Sequence, residues 1–363
     1  MKLIVIRLYF LCSKNILLEM NKYFIKDNGI RLPVSERKYL LNFLTPTSKR
    51  VKYYQSPPPS EVSTRQIGRM LLQVHQILSI FKSLNIDLRN KTFLDLGTGN
   101  GMIPKILLEI SSIKDALGAD PYLDGEHTTS WQKHDHDKTI QKLRKYIKIK
   151  NKNKIDFQFY KNKLSDENFT FIPQTIEFIK QKSKKFRFVR YGAHDIGNIK
   201  KKFDILYCKA IEHISNWPKV FKNLNQITKK NSIVYFKHRS FFSYLGPHRY
   251  SSTAIPWGHI LLNDKEIKRY VKKFHPKREK QFLKFFYNEL AYPRFTVNDM
   301  IKIAQKNNFE ILGIQIEPTR FSSKSIKFIK KIPSFWNIVY KNYPKVSSDE
   351  VLSGMYHIVF KKI

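Results

Sequence analysis

The chain has 363 residues, of which 42% are hydrophobic and 14% aromatic, so it can bury a sizeable core. This length suits either one elaborated α/β domain or two domains. The 67 lysines and arginines exceed the 29 acidic residues and give a formal charge of +38. Such a charge indicates either a nucleic-acid partner or a lysine-rich composition without one focus. Cys12 and Cys208 are the only cysteines, which excludes a disulfide framework and a cysteine-based zinc site.

The N-terminal sequence MKLIVIRLYFLC is apolar but too short to span a bilayer, and no small-residue cleavage site follows it. Met20 is an alternative start, and we expect a cytoplasmic protein. The stiff sequence SPPPS at 56–60 separates residues 1–60, a partly irregular arm, from residues 61–363. We expect residues 61–363 to form one domain with an insertion at 240–290.

The sequence TFLDLGTGNG at 92–101 is the stretch around which the rest of the chain is organised. Its apolar residues predict a short buried strand, and MIPKILLEI at 102–110 predicts the start of a helix. The glycines between them let a ligand approach the backbone closely and permit positive φ angles. Met102 breaks the dinucleotide fingerprint and no G-K-[ST] follows, so neither a dinucleotide nor a phosphate loop is indicated. A tight turn without a ligand is the alternative.

Acidic residues follow the next two predicted strands. ALGAD at 116–120 predicts a strand that ends in Asp120, about 20 residues after Gly97, where a carboxylate can accept both hydroxyls of a ribose. FRFVRY at 186–191 predicts the third strand, and GAHD at 192–195 follows it. The alternatives are a solvated loop acid at Asp120 and an Asx turn at Asp195.

The region 126–185 is the least regular part of the sequence. His134, Asp135, His136 and Asp137 are ligand types, but as immediate neighbours they cannot all reach one ion, so we expect no metal. The stretch 174–183 predicts a helix.

Further elements follow from apolar periodicity. FDILYCK at 203–209 predicts a strand that runs into AIEHI at 210–214. The other predicted elements are helices at 61–81, 217–227 and 296–307, strands at 232–237, 309–317 and 355–361, and an insertion at 322–346.

Together these motifs resemble those of class I S-adenosylmethionine (SAM)-dependent methyltransferases. TFLDLGTGNG is similar to their first motif, GAHD to the third and FDILYCKAIEHI to the fourth, and the resemblance covers about residues 61–240. It implies a Rossmann-like α/β fold with a seven-stranded, mostly parallel sheet, an antiparallel last strand and helices on both faces. It also implies SAM as the cofactor, with Asp195 meeting the adenine amine. The implied cofactor-binding residues are Asp95, Gly97, Thr98, Gly99, Gly101, Asp120, Pro121, His194, Asp195 and Lys209.

The segment 240–262, which follows the fifth predicted strand, resembles a substrate-covering segment of some of these methyltransferases. We expect Glu212, Arg249, Tyr250 and Trp257 to bind the acceptor. A histidine suits the base that an oxygen acceptor needs near neutral pH. His248 is the first candidate, followed by His213 and His259, and a packing role is the alternative for each.

The sequence therefore predicts a SAM-dependent methyltransferase that acts on a small-molecule, lipid or glycan acceptor, on oxygen. The charge favours an RNA methyltransferase as the alternative. However, CKAIEH at 208–213 stands where RNA enzymes acting on base nitrogen often carry N/D-P-P-Y/F. An RNA enzyme that forms 5-methylcytosine would need a nucleophilic cysteine, but Cys208 lies inside a predicted strand. A non-catalytic SAM- or nucleic-acid-binding module on the same fold is the third possibility. The sequence names neither the acceptor nor the oligomeric state.

Overall fold

The computed structural model describes residues 23–34, 64–99, 101–121, 141, 154–155, 176–177, 185–244, 246, 253–289, 294–319 and 322–363. The chain divides into two compact units. The sheet unit comprises Arg50–His238, Val297–Glu317 and Met355–Ile363, and the second unit comprises Met1–Lys49, Arg239–Thr296 and Pro318–Gly354. The predicted boundary at residue 60 lies outside the described residues, so the division into an arm and one domain stays a prediction.

The described strands are β1 (Tyr23–Ile25), β2 (Arg31–Pro33), β3 (Thr92–Leu96), β4 (Asp115–Ala119), β5 (Lys154–Ile155), β6 (Ile176–Glu177), β7 (Lys185–Val189), β8 (Phe203–Cys208), β9 (Thr228–His238), β10 (Phe309–Pro318) and β11 (Ser353–Lys362). Seven of them form one sheet in the order β10-β11-β9-β8-β3-β4-β7. The five adjacent strands β7, β4, β3, β8 and β9 run parallel, and β11 is antiparallel to β9. The predicted seven-stranded, mostly parallel sheet is confirmed.

The described α-helices are α1 (Thr64–Ser83), α2 (Met102–Ile110), α3 (Trp217–Ile227), α4 (Gly258–Leu261), α5 (Asp264–Phe274), α6 (Glu279–Lys284), α7 (Val297–Gln305), α8 (Ser322–Lys330), α9 (Phe335–Asn342) and α10 (Ser348–Leu352). Among the described residues, no helix combines the length and the apolar character that a membrane crossing needs.

Helices cover both faces of the sheet because side chains alternate along each strand. On one face, Tyr235 of β9 lies edge-on to Phe81 of α1, with ring centroids 5.9 Å apart. On the other face, Phe236 of β9 packs against Phe221 of α3 at 5.6 Å. The helix α3 begins where the side chain of Asn216, whose backbone is left-handed with a φ of 51°, accepts a hydrogen bond from the backbone N–H of Lys219.

A carboxylate ties three strands together at the amino-terminal edge of the sheet. Asp204 of β8 accepts hydrogen bonds from the backbone N–H of Thr92 at 2.9 Å and from its hydroxyl at 2.7 Å. The Lys229 ammonium of β9 donates to the same carboxylate at 2.9 Å. Burial opposes ionisation of Asp204, but these hydrogen bonds outweigh it and hold the pKa below its usual value.

Most predicted elements are observed with ends shifted by a few residues. The helix predicted at 217–227 has these bounds, and the strand predicted at 116–120 is β4, which leaves Asp120 just beyond the strand. One prediction is wrong within 174–183, where Ile176–Glu177 form the strand β6 instead of a helix. The reason is tertiary, since β6 pairs with β5 in a separate two-stranded sheet, and such pairing overrides local helix propensity.

The second unit is built around its own apolar core. The antiparallel hairpin of β1 and β2 is fixed to α5 by Lys26, whose ammonium donates to Glu266 at 2.5 Å. Trp257 and Tyr270 are among its largest fully buried side chains. The predicted insertion at 322–346 is present as α8 and α9.

Candidate functional site

The strand order reverses between β3 and β8. After β3 the chain crosses to β4 and then β7, whereas β8 and β9 lie on the other side of β3. The loops after β3 and β8 touch, because a Cβ built on Gly97 would lie 2.8 Å from the Cβ of Ala210. In open α/β sheets, ligands bind at such a reversal.

The glycine turn after β3 has the backbone that its sequence predicts. Gly97, Gly99 and Gly101 have φ angles of 74°, 55° and 70°, which strain residues with a side chain. A Cβ on Gly101 would lie 2.8 Å from the ring of Phe186, whereas a Cβ on Gly99 would meet nothing within 4 Å. A side chain at Gly97 would require Ala210 to move and one at Gly101 would require the Phe186 ring to move, whereas Gly99 leaves open space at the tip of the turn.

The glycine turn holds the predicted ribose-binding carboxylate. The backbone N–H of Gly99 donates to Oδ2 of Asp120 at 2.9 Å. The backbone N–H of Gly97 donates to the carbonyl of Ala119, so the end of β4 lies against the turn. A carboxylate can accept about four hydrogen bonds, so the bond from Gly99 does not exclude a ribose diol.

Asp95 lies buried beneath the turn and accepts a 2.7 Å hydrogen bond from the hydroxyl of Thr98. Burial raises the pKa of Asp95 to about 7, and the charge of Asp120 acts in the same direction. The bond from Thr98 and the charge of Lys209 oppose this shift. Asp95 can therefore exchange a proton near neutral pH.

Asp195 lies beyond β7, beside the loop that follows β4. It is exposed, and its backbone N–H donates to the carbonyl of Gly192 at 2.9 Å. A Cβ built on Gly192 would lie 3.4 Å from Pro121 and 3.9 Å from Oδ2 of Asp195. His194 points elsewhere, since its Nε2–H donates to the carbonyl of Ser215 at 2.6 Å.

The loop after β8 contributes Lys209, Glu212 and His213 to the same edge of the sheet. Lys209 is exposed, Glu212 is buried and His213 is half-buried, the last two in a 3₁₀ turn at Ile211–His213. Cys208 ends β8 and is buried, and burial raises the pKa of its thiol. A buried thiol of high pKa does not supply the thiolate that a nucleophilic cysteine needs.

The sequence also matches a known family. The family profile described as "Methyltransferase domain" matches residues 72–312, well over half of the chain. The chain belongs to this methyltransferase-domain family. The predicted superfamily, the class I SAM-dependent methyltransferases, is thereby confirmed. A search of curated proteins finds no match.

Two solved structures show the extent of the structural likeness. Magnesium protoporphyrin IX methyltransferase from Synechocystis PCC 6803 with bound SAH is 11% identical, covers 91% of this chain and 100% of its own, and has a TM-score of 0.38. A SAM-dependent methyltransferase from Clostridium acetobutylicum ATCC 824 is 14% identical, covers 87% and 98%, and also has a TM-score of 0.38. At these TM-scores the likeness is weak, and the family assignment rests on the sequence match.

The predicted acceptor site of this methyltransferase is described only in part. His248, Arg249 and Tyr250 lie outside the described residues. Trp257 lies in the core of the second unit, where its indole N–H donates to the carbonyl of Val351 at 2.9 Å. The roles of these four residues in acceptor binding or proton transfer stay predictions.

His259 is also buried in the second unit. Its Nε2–H donates to the carbonyl of Phe241 at 2.5 Å. Burial lowers its pKa to about 3, so the ring remains neutral at physiological pH and binds a proton weakly. Its role as a base stays a prediction, with packing the alternative.

Sequence reasoning missed two buried polar side chains of the methyltransferase sheet. His238 ends β9, one residue beyond the strand predicted at 232–237, and the hydroxyl of Tyr207 in β8 has no hydrogen-bond partner among the described residues. A polar residue that directly follows an apolar strand was the available signal for His238. In the described part of the chain, no group of three His, Cys, Asp or Glu could hold a metal ion, and His134 to Asp137 lie outside it.

Proposed function

We propose that this methyltransferase moves the methyl group of SAM to an oxygen of a small-molecule, lipid or glycan acceptor. The single observation that carries the cofactor side is the hydrogen bond from Gly99 to Asp120. It holds a carboxylate against a turn of three left-handed glycines, beside the open space at Gly99. Such a cradle fits a nucleoside with two ribose hydroxyls.

In this proposal, different residues bind different parts of the cofactor. Asp120 accepts the ribose hydroxyls, and Asp195, across Gly192 from Pro121, accepts from the adenine amine. Asp95 and Thr98 support the turn from below, while Lys209 lies at the end of β8. His194 contributes to the loop through its bond to Ser215.

Methyl transfer from SAM is an in-line displacement at a carbon that the sulfonium makes electrophilic. The protein therefore has mainly to orient the acceptor and exclude water. We assign acceptor contacts to Glu212, Arg249, Tyr250 and Trp257. We assign the base to His248, with His213 and His259 as the other candidates. The support is chemical, because a histidine can take a hydroxyl proton near neutral pH.

Two measurements test the proposal. Calorimetry with SAM should show binding to one site, and methyl-labelled SAM incubated with RNA-depleted cell extract should yield labelled small molecules, lipids or glycans. His248→Ala should lower the rate of labelling while leaving SAM affinity nearly unchanged. SAM binding without any labelled product would favour the non-catalytic module, and no SAM binding would refute the cofactor assignment.

The charge of +38 supports a second candidate, an RNA methyltransferase. Phosphate contacts make nucleic-acid affinity fall steeply with salt. Filter binding of bulk RNA at several salt concentrations would separate the two functions. Tight binding with a steep salt slope, together with label in RNA, favours the second candidate, whereas weak binding at moderate salt favours a compositional origin of the charge.

A further inference from the structure

His238 is a buried histidine at the carboxyl end of β9, the edge at which the proposed cofactor site lies. It is only 1% exposed, and neither Nδ1 nor Nε2 has a hydrogen-bond partner among the described residues. Register places it beside that site: Cys208, the last residue of β8, pairs with Phe236, so His238 lies level with Ala210 in the loop after β8. Buried polar atoms are nearly always hydrogen-bonded, so two open nitrogens on one ring indicate a missing partner.

Neighbouring side chains hold His238 and a carboxylate in a fixed relation. Nδ1 of His238 lies 4.0 Å from Oε2 of Glu212, which is also buried. The Trp217 ring lies edge-on to the imidazole at 5.5 Å, and its indole N–H donates to the carbonyl of Ile211 at 3.2 Å. Trp217 therefore contacts both the imidazole of His238 and the turn that carries Glu212, and so helps to fix their positions.

We propose that His238 and Glu212 form the site that binds the hydroxyl group of the methyl acceptor. This inference rests on the proposed methyl transfer to oxygen. An oxygen at about 2.8 Å from both atoms would bridge the gap with an angle of about 90° between its two partners. A hydroxyl both donates and accepts, so it can pair with a neutral imidazole and a carboxylate together.

The electrostatics make His238 a hydrogen-bonding group and not the base. Burial lowers the pKa of His238 to about 3, and the neighbouring His213 acts in the same direction. A neutral ring of this kind orients a hydroxyl but does not retain its proton. His238 would therefore position the acceptor oxygen, and the hydroxyl proton would leave along its hydrogen bond to the Glu212 carboxylate as the methyl group is transferred.

The matched test compares His238→Phe with His357→Phe. Both ring nitrogens of His357 are hydrogen-bonded, to the hydroxyl of Tyr235 at 2.6 Å and to Glu317 at 2.8 Å. His357→Phe should lower Tm because it breaks these bonds, whereas His238→Phe should leave Tm unchanged or raised. His238→Phe should also lower the rate of extract labelling about three- to tenfold at limiting extract, with SAM affinity kept, and His238→Asn should recover part of that rate.

An acceptor-independent measurement completes the test. The NMR measurement uses protein with ¹⁵N-labelled histidine that is saturated with S-adenosylhomocysteine (SAH). Phenol should change the chemical shifts of the ring nitrogens of His238, and toluene, which has a similar shape without the hydroxyl, should not. If phenol causes no shift, or if His238→Phe unfolds as early as His357→Phe, His238 is a structural residue and the inference is wrong. Loss of SAM binding by the unmodified protein would instead refute the proposed function.

Discussion

Gly97 offers the most direct comparison between backbone strain and steric packing in the glycine turn. Gly97→Ala places a Cβ at a φ of 74° and 2.8 Å from the Cβ of Ala210. Gly99→Ala is the matched control, because its φ is 55° and its Cβ would meet nothing within 4 Å. Both variants reduce the freedom of the unfolded chain equally, so that contribution cancels between them.

The left-handed backbone costs each alanine about 1–2 kcal/mol. The contact with Ala210 adds about 1–3 kcal/mol of overpacking to Gly97→Ala alone. Thermal unfolding without ligand should therefore show Gly97→Ala melting about 2–12 °C below Gly99→Ala, at about 2–4 °C per kcal/mol for a unit of this size.

Ala210→Gly supplies the rescue, because it removes the atom that the new Cβ would strike. The double variant Gly97→Ala with Ala210→Gly should regain the packing loss but not the backbone loss, and so should melt near Gly99→Ala. If Gly97→Ala and Gly99→Ala melt together, or if Ala210→Gly rescues nothing, the loops after β3 and β8 do not pack as described.

Two further variants test the electrostatics of the sheet unit. The pKa of Asp95 is about 7 in the folded protein and near its usual value in the unfolded chain. The contribution of neutral Asp95 to the free energy of unfolding is therefore lost as pH rises from about 4 to 7. Urea unfolding should show that Asp95→Asn is more stable than the native protein at pH 8, by up to about 4 kcal/mol, and equal to it near pH 4; equal differences at both pH values would contradict the raised pKa. Asp204→Ala should lower stability by about 1–3 kcal/mol, because the backbone N–H of Thr92 loses its acceptor. Asp87→Ala removes only solvent-exposed bonds, from the guanidinium and the backbone N–H of Arg89, and water can replace them, so Tm should stay unchanged. Equal Tm losses would show that Asp204 does not tie the strands.

Local sequence signals predicted the parts of the fold in which local and tertiary preferences agree. The strand, glycine turn and helix at 92–110 follow from an apolar run, three glycines and a second apolar run, and the structure has β3, the left-handed turn and α2 there. The pair Ile176–Glu177 differs, because its strand depends on a partner at Lys154–Ile155 that no local pattern indicates.

The candidate site was predictable from the sequence where a characteristic residue type directly follows a predicted strand. Asp120 was predicted from its distance to the glycines, and the structure adds its bond to Gly99. His238 was not predicted, because its two open nitrogens are a property of what packs around it. Trp257 and His259 read as loop residues in the sequence, but both lie in an apolar core that forms from distant segments.

The central claim is that a carboxylate at the end of β4, held by the glycine turn, binds the ribose of SAM. The most direct measurement is calorimetric titration of SAM into the native protein, Asp120→Asn and Asp87→Asn. An asparagine can still accept from Gly99 but loses the charge, so Asp120→Asn should bind SAM about 10- to 100-fold more weakly, with Asp87→Asn unchanged. Equal affinity in all three proteins would contradict the claim.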